Sequence, residues 1–352
     1  MNLERLCLDD LKDGPGSLWD ADLQIAGGTL FHSTVWASYV VAQRPNVECL
    51  FLRLVDEAGQ SRGMALAFRT VWPRGFLPPF SRSLWLDALP VVLGANRGPL
   101  LTEFLRQVKV LARRAADVDL VVGSFASPGA ATVLRDLGFD CVRRLEFQCP
   151  LDVSEENLWA ALGSKTRNTI RKAGRLGVTI HELAGEEAAR ELRRLQRASA
   201  GRIASRGGPQ LVFPGDGRTD PVRVLLGAGV GRILAARFEG VYVSAALFTC
   251  FNGLVYYTLA GHSEQGLRSQ APTLLLWEAM KRYRQEGART FNLGGCAADA
   301  ADERSPEHGL FAYKRSLASQ CVECTSGSVV LRRQVFRVVS GLRRAAAVLS
   351  HA

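Results

Sequence analysis

Three apolar runs joined by two-residue turns are the feature that most constrains the fold of this chain. The runs are Arg232–Phe238, Val241–Phe251 and Leu254–Gly261, and they are separated by Glu239–Gly240 and Asn252–Gly253. Such turns need backbone conformations with positive φ, which Gly and Asn adopt readily, and they connect neighbouring antiparallel strands. The sequence therefore predicts an antiparallel β-meander in its second half.

Helices and further strands surround this meander. Pro272–Glu286 is predicted to be a helix, because it has Pro in its first turn and Gly287 just past its end. The other elements predicted in the second half are helices over Glu155–Gly174 and Glu186–Ser205, strands over Val178–Leu183 and Thr290–Leu293, and a loop over residues 207–221.

The first half has the pattern of a separate α/β unit, and 352 residues are enough for two cores. We therefore expect an α/β (α+β) protein with domains over residues 1–150 and 151–327 and a basic helix over residues 328–352. The elements predicted in the first half are strands over Val47–Val55, Arg62–Arg69, Val118–Phe125 and Cys141–Pro150 and helices over Leu100–Ala115 and Pro128–Gly138.

The segment Val329–Leu349 has the pattern of an amphipathic helix. Apolar residues such as Leu331 and Val335 fall on one face, and arginines such as Arg333 and Arg337 fall on the other. Our interpretation is a helix packed on the second domain with a solvated basic face. Contact of that face with tRNA phosphates or with an anionic membrane surface is the alternative.

The charge balance is strongly basic. The formal net charge is +10, and only 6 of the 44 basic residues are lysines, so arginine dominates. Arginine presents a planar fork of donors that suits phosphate and carboxylate oxygens, and a basic surface attracts polyanions such as tRNA. A GC-rich genome gives the same composition without any such function, so both explanations stay open.

Nothing in the sequence indicates secretion, membrane insertion or a metal site. The first thirty residues are acidic, without the basic start of a signal peptide, and no apolar run reaches about eighteen residues. The eight cysteines are scattered, and only Cys321 and Cys324 form a C-x-x-C pair. We expect a cytoplasmic protein with reduced thiols, no integral membrane insertion and no bound metal or cofactor.

Two segments of the second half carry a family resemblance. The basic stretch Leu158–Val178 and the segment Ser244–Ala318, with its runs LRSQAPTLLLWEAMKRYRQEGARTFNLGG and HGLFAYKRSLA, resemble the Fem peptidyltransferases of the GNAT superfamily. The first half resembles that family only in size and pattern. The resemblance implies two GNAT-like domains and transfer of an aminoacyl group from aminoacyl-tRNA to an amine.

The resemblance also implies which residues act in the reaction. Lys314 follows Tyr313 where the family has Phe-Lys-x-x-Phe-Gly, although Tyr313 replaces the Phe and Leu317–Ala318 replaces the Phe-Gly. Aminolysis of an ester builds negative charge on the carbonyl oxygen, and a fixed cation there lowers the barrier. We therefore predict Lys314 and Tyr313 as catalytic residues, with a solvated surface lysine as the alternative.

The donor is predicted from the loop before the Pro272 helix. Acyl-CoA enzymes of the GNAT superfamily hold the pyrophosphate on a glycine-rich loop at this point. Here Arg268, Ser269 and Gln270 are followed by Ala271, and Pro272 removes a backbone N–H. A CoA pyrophosphate is expected to bind poorly there, which favours an aminoacyl-tRNA donor, while an ordinary helix cap is the simpler interpretation.

The remaining residues are predicted to bind substrate. Gly294 and Gly295 would let the backbone turn near the substrate, and Asn292 stands where the family has an acid. The full set of predicted substrate-binding residues is Arg268, Ser269, Gln270, Gly294, Gly295, Asn292, Tyr256, Lys165, Arg167 and Arg171, with the basic ones directed at phosphates.

The leading hypothesis is an aminoacyltransferase that uses charged tRNA. Its acceptor would be an amine-bearing small molecule or a UDP-linked or lipid-linked cell-wall precursor. One alternative is an acyl-CoA N-acyltransferase acting on a sugar or metabolite. The other is a non-catalytic tRNA- or nucleotide-binding protein that keeps the fold.

Overall fold

A computed structural model describes residues 1–6, 11, 18–44, 46–70, 82–125, 128–205 and 220–349, with side chains to residue 341. Most of the predicted loop over residues 207–221 lies outside these ranges. The chain divides into two compact units. The first consists of Met1–Arg144 with Glu323–Ala352, and the second of Leu145–Val322.

The first unit is built on a mixed sheet with a helix packed against it. Phe104, Leu105 and Val108 of that helix, α3, form the centre of its core. Its elements are β1 (Asn2–Leu6), α1 (Trp19–Ile25), a 3₁₀ turn (Leu30–His32), α2 (Thr34–Gln43), β2 (Val47–Val55), β3 (Ser61–Thr70), β4 (Ser83–Leu86), β5 (Val91–Val92), α3 (Arg97–Arg114), β6 (Asp119–Val122) and α4 (Ala131–Asp136).

The second unit contains the predicted meander. Its core lies between the sheet and α10, with Leu275, Leu276 and Met280 fully covered. Its elements are α5 (Glu155–Ala161), α6 (Ser164–Arg175), β8 (Thr179–Leu183), α7 (Gly185–Ala204), α8 (Val222–Gly227), β9 (Gly231–Phe238), β10 (Val241–Phe251), β11 (Leu254–His262), α9 (Glu264–Arg268), α10 (Ala271–Gln285), β12 (Thr290–Ala297) and α11 (His308–Leu317).

Both units repeat one strand pattern. In the first, β2, β3 and β4 are antiparallel and β6 then pairs with β4 in parallel. In the second, β9, β10 and β11 are antiparallel and β12 pairs with β11 in parallel. A helix, α3 or α10, connects the parallel pair in each unit. The prediction of two similar α/β halves is thereby confirmed.

Two strands pass from one unit into the other along the sequence. They are β7 (Asp140–Pro150) and β13 (Gln320–Val330), and each contains a boundary between the units. In the sheet order β7 lies beside β12, and β13 lies beside β6. The strand β7, which comes at the end of the first half of the sequence, therefore adds to the sheet of the second unit. The strand β13, which comes after the second half, adds to the sheet of the first unit. The structural boundaries thus differ from the expected ones at residues 150 and 327.

The hairpins of the second unit form as predicted. Glu239 and Asn252 have φ of 50°, and the glycines that follow them have φ of 81° and 72°. The helix predicted over Pro272–Glu286 is α10, which starts one residue earlier and has Pro within its first two positions. Turn chemistry and helix signals are sufficient for these elements because they act over a few neighbouring residues.

Three predicted helices were wrong in extent. The helix predicted over Pro128–Gly138 is α4, which covers only Ala131–Asp136. The helix predicted over Glu155–Gly174 is two helices, because Leu162 and Gly163 have extended ψ angles of 142° and 146°. The last helix, α12, covers Arg333–Leu349 and not Val329–Leu349, because β13 continues to Val330. This helix also belongs to the first unit, so its predicted packing on the second domain was wrong.

No helix in the ranges that the structure describes is long and apolar enough to cross a membrane. Within the same ranges, no cluster of three or more His, Cys, Asp or Glu side chains is arranged to hold a metal ion.

Candidate active site in the second unit

The parallel strands β11 and β12 pair over only three residues. The pairs are Leu254 with Thr290, Val255 with Phe291 and Tyr256 with Asn292. Beyond Tyr256 and Asn292 the two strands no longer pair with each other, although both continue for several residues. The pairing of the two strands therefore ends at this point, and several of the predicted site residues lie around it.

The backbone of β12 turns at Gly294. This residue has φ of +72°, a conformation that costs other residues about 1–2 kcal/mol. The Asn292 side-chain oxygen fixes the turn by accepting a 2.7 Å hydrogen bond from the Gly294 N–H. A Cβ on Gly294 would lie 3.4 Å from the Lys314 ammonium and 3.9 Å from the Tyr256 hydroxyl. Glycine therefore keeps the space between these groups open.

Lys314 is directed at this turn. It lies on α11, only 9% of its surface is exposed, and its Nζ donates to the Gly295 carbonyl at 2.9 Å. Few lysines are so well covered by protein, since burying an ammonium group requires compensating polar contacts. The structure thus places the Lys314 ammonium beside Gly294 and Gly295, which the sequence analysis predicted to bind substrate.

Glu146 is a member of this cluster that the sequence analysis missed. It lies on β7 within the second unit and is fully buried. Its carboxyl group accepts hydrogen bonds through both oxygens, from the Tyr256 hydroxyl at 3.1 Å and from the Asn292 amide at 2.7 Å. The carboxyl group therefore holds Asn292, which in turn holds the Gly294 turn next to Lys314.

The Tyr313 hydroxyl is a second polar group at the site. In the described part of the chain this hydroxyl is buried beside the Thr273 side chain and makes no hydrogen bond of normal geometry. Burial raises the pKa of Tyr313 to about 12, and the neighbouring Thr273 side chain opposes that rise. Burial also raises the pKa of Tyr257, and the nearby Tyr313 adds to the effect. Both phenols thus keep their protons at neutral pH.

The loop before α10 is occupied by the short helix α9. The backbone N–H groups of Leu267, Ser269 and Gln270 donate to carbonyls within this turn, at 3.1, 2.9 and 3.2 Å. The Ser269 hydroxyl donates to the Gly266 carbonyl, and the Gln270 amide donates to the Leu267 carbonyl. Arg268 is paired with Glu264, and its side chain is 78% exposed. The side chains of Arg268, Ser269 and Gln270, which were predicted to bind substrate, therefore form contacts within the loop itself.

The basic helix α6 adjoins α11. The Thr166 hydroxyl of α6 donates to the Ser316 carbonyl at 3.2 Å, two residues beyond Lys314. Lys165 is exposed, and Arg171 is exposed with its guanidinium 5.3 Å above the Trp159 ring. Lys165 and Arg171 therefore remain available to a phosphate.

Arg167 has a structural contact instead. Its Nη1 donates to the Ala160 and Leu162 carbonyls at 3.1 and 2.8 Å, at the end of α5. Helix ends leave carbonyls without intrahelical partners, and this arginine satisfies two of them. Sequence reasoning could not separate Arg167 from the exposed basic residues because all lie on one short helix.

The cluster combines a covered cation and buried hydroxyls at the point where the pairing of β11 with β12 ends. A fixed ammonium and a protonated phenol are suited to stabilising an oxygen that becomes negative during a reaction. Asn292, Tyr256 and Glu146 form the hydrogen-bond network that holds the Gly294 turn, and the Lys314 ammonium lies beside that turn.

Comparison with known proteins agrees with this geometry. The sequence profile of the Acetyltransferase (GNAT) domain matches residues 164–315, which include α10, the Gly294 turn and Lys314. The lipid II:glycine glycyltransferase of Staphylococcus epidermidis is 40% identical over 78 residues, or 22% of this chain. That match covers 18% of the staphylococcal protein.

The fold is shared over the whole chain. The crystal structure of FemX superposes with a TM-score of 0.73 at 15% identity and covers 96% of this chain and 100% of FemX. A tandem GNAT protein from the clavulanic acid biosynthesis pathway gives a TM-score of 0.52 at 14% identity, covering 94% and 99% of the two chains.

The chain therefore has the fold of the GNAT acyltransferases. Within that class it has FemX as a structural neighbour and lipid II:glycine glycyltransferases as distant sequence relatives, which confirms the resemblance to the Fem family.

Proposed function

We propose that this chain is an N-acyltransferase that transfers an aminoacyl group from aminoacyl-tRNA to an amine. The observation that carries the proposal is the covered Lys314 ammonium at the Gly294 turn, where β11 and β12 cease to pair. The acceptor would be a small amine or a UDP-linked or lipid-linked wall precursor, and the name of the staphylococcal relative includes lipid II.

In the proposed reaction the amine nitrogen attacks the ester carbonyl carbon. A C–N bond forms, the carbonyl oxygen becomes an oxyanion, and its collapse breaks the bond to the tRNA ribose oxygen. That oxygen leaves and receives the proton that the amine gives up. Lys314 supports this step with a nearby positive charge, and the Tyr313 hydroxyl is a second donor toward the reacting oxygens.

The α9 turn supports tRNA over CoA as the donor. Pyrophosphate binding at a helix N-terminus requires backbone N–H groups that are free to point at the anion. Here the N–H groups of Leu267, Ser269 and Gln270 already donate within α9, and Pro272 has none. Exposed Lys165 and Arg171 on α6 offer an alternative place for phosphates of a nucleic acid.

The test is a donor comparison with purified protein. A set of charged tRNAs and a set of acyl-CoA thioesters are each incubated with small amines and wall-precursor peptides, and amide products are measured by mass spectrometry. We expect products from charged tRNA only. Lys314→Met should lower turnover about 10²–10³-fold, the usual cost of losing one such group, and Lys314→Arg should restore it only in part.

Lys281→Met is the matched control, because Lys281 lies on α10, where it pairs with Glu278 and lies over the Trp277 ring. Its turnover should stay near normal. Efficient turnover of an acyl-CoA with no product from any charged tRNA would contradict the donor assignment. Normal turnover in a stably folded Lys314→Met variant would contradict the role of Lys314.

A further inference from the structure

The last 28 residues of the sequence contain basic residues and no acidic ones. From Thr325 to Ala352 there is no Asp or Glu, whereas there are five arginines, at positions 332, 333, 337, 343 and 344. Apolar residues such as Val335, Phe336 and Val338 are interspersed among them. The active site described above lies in the second unit and uses none of these residues.

The structure shows which of these residues face solvent. On α12, Arg333, Gln334, Arg337, Val338 and Gly341 are exposed. Their spacing of one, four, five and eight residues defines a single face of the helix. Val338 is 63% exposed, among the most exposed of the large apolar side chains in the described ranges.

The two exposed arginines on this face are not used by the fold. The side chains of Arg333 and Arg337 form no hydrogen bond or ion pair with any residue in the described ranges. By contrast, many other arginines in the described ranges form ion pairs, as Arg62 does with Asp56 and Arg304 does with Asp302. The exposed face of α12 therefore combines uncompensated positive charge with an exposed apolar side chain.

We propose that the exposed face of α12 docks the protein onto an anionic phospholipid surface. Helices that lie in a membrane interface combine basic residues, which attract anionic headgroups, with apolar residues that enter the acyl boundary. Arg333 and Arg337 supply the first contact, and Val338 supplies the second. A polyanion without an apolar phase, such as tRNA, would give Val338 no favourable environment.

The test is sedimentation of the full chain with lipid vesicles at low salt. We expect binding to vesicles of phosphatidylglycerol and phosphatidylcholine in equal parts and none to phosphatidylcholine alone. Each basic residue near an anionic surface contributes about five-fold to the partition coefficient, so Arg333→Ala with Arg337→Ala should lower it on the order of 30-fold. Val338→Asp should also weaken binding, because it removes the apolar contact and adds a repelled charge.

Arg113→Ala with Arg114→Ala is the matched control. Both arginines are exposed on α3 of the same unit, and their substitution removes the same amount of charge as the α12 double variant. This control should bind vesicles almost normally. An equal loss in the control would overturn the proposal in favour of net charge alone. Unchanged vesicle binding by the α12 variants, with weakened tRNA binding, would assign the face to nucleic acid instead.

Melting temperatures of all variants are measured beside binding. If the double arginine variant does not fold, Val338→Asp carries the test, because a side chain this exposed contributes little to packing. Normal vesicle binding by folded Val338→Asp would overturn the apolar part of the proposal. The vesicle assay needs no acyl donor, so its outcome is independent of the proposed transfer reaction.

Discussion

Replacement of Glu146 tests whether a buried carboxyl group maintains the active-site backbone. Its two oxygens hold the Tyr256 hydroxyl and the Asn292 amide, and Asn292 holds the Gly294 N–H. Glu146→Leu removes both acceptors from an interior position and keeps a similar volume. Glu146→Gln keeps one acceptor and the shape, and the Tyr256 hydroxyl can turn to accept from the new amide.

The expected costs differ between the two variants. A buried donor left without a partner costs about 1–3 kcal/mol, so Glu146→Leu should destabilise the second unit by about 2–6 kcal/mol. Glu146→Gln keeps the hydrogen bonds but makes them weaker than those to a carboxyl group, which should lower the free energy of unfolding by about 1–2 kcal/mol. Turnover should fall strongly in the Leu variant, because the Gly294 turn and the Lys314 contact lose their support, and should be mostly retained in the Gln variant.

Urea unfolding followed by hydrogen exchange can localise the effect. Peptides that cover β12 should lose protection in Glu146→Leu at urea concentrations where peptides of β2 and β3 remain protected. Turnover is measured under conditions where each variant is fully folded. Both readouts are compared with Glu182→Gln, since Glu182 is exposed on β8, which three strands separate from β12 in the sheet order.

Two results would refute this reasoning. A Leu variant as stable as the natural chain would show that the network does not stabilise the unit. A Gln variant with normal stability and no turnover would show that the carboxyl group takes part in the reaction itself, for example as a proton acceptor, and does not only maintain the turn.

Two further predictions concern pH and salt. Burial, with a contribution from Arg202, lowers the pKa of His262 to about 4. As the pH falls, the imidazole of the unfolded chain is protonated near pH 6.5, before that of the folded chain. The free energy of unfolding should therefore fall by about 3 kcal/mol between pH 6.5 and pH 4. His262→Gln should flatten that loss in urea titrations, and an unchanged pH dependence would count against it. Lys165→Ala with Arg171→Ala should make the slope of log tRNA affinity against log salt concentration shallower, by the equivalent of about one to two phosphate contacts. Arg167→Ala should instead lower stability with little effect on that slope; the reverse pattern would restore Arg167 as a phosphate ligand.

Local signals in the sequence were sufficient for the meander and for α10. Asn252–Gly253 and Pro272 act on their immediate neighbours, so their consequences can be predicted without knowledge of the tertiary fold. The break at Leu162–Gly163 was missed because the apolar spacing on either side is compatible with one continuous helix. At the break, Thr166 and Gly163 contact the Ser316 carbonyl, which lies far away along the chain and cannot be predicted from local spacing.

Glu146 could not be predicted from the sequence for a related reason. An acid within a strand is normally interpreted as a solvent-facing residue. Its partners Tyr256 and Asn292 lie 110 and 146 positions away along the chain. Lys314 was accessible to prediction because family resemblance supplied its role, whereas composition and periodicity alone indicate a surface lysine.

The placement of β7 and β13 has a consequence for how the chain can be divided. Since β7 lies beside β12, a fragment that begins at residue 151 lacks both the neighbouring strand and Glu146. A fragment that ends before β13 leaves the β6 edge of the first unit uncovered. An uncovered strand edge is a template for pairing with other chains. Separate expression of the two halves should therefore give aggregating material, and co-expression of both halves should be needed to recover soluble protein.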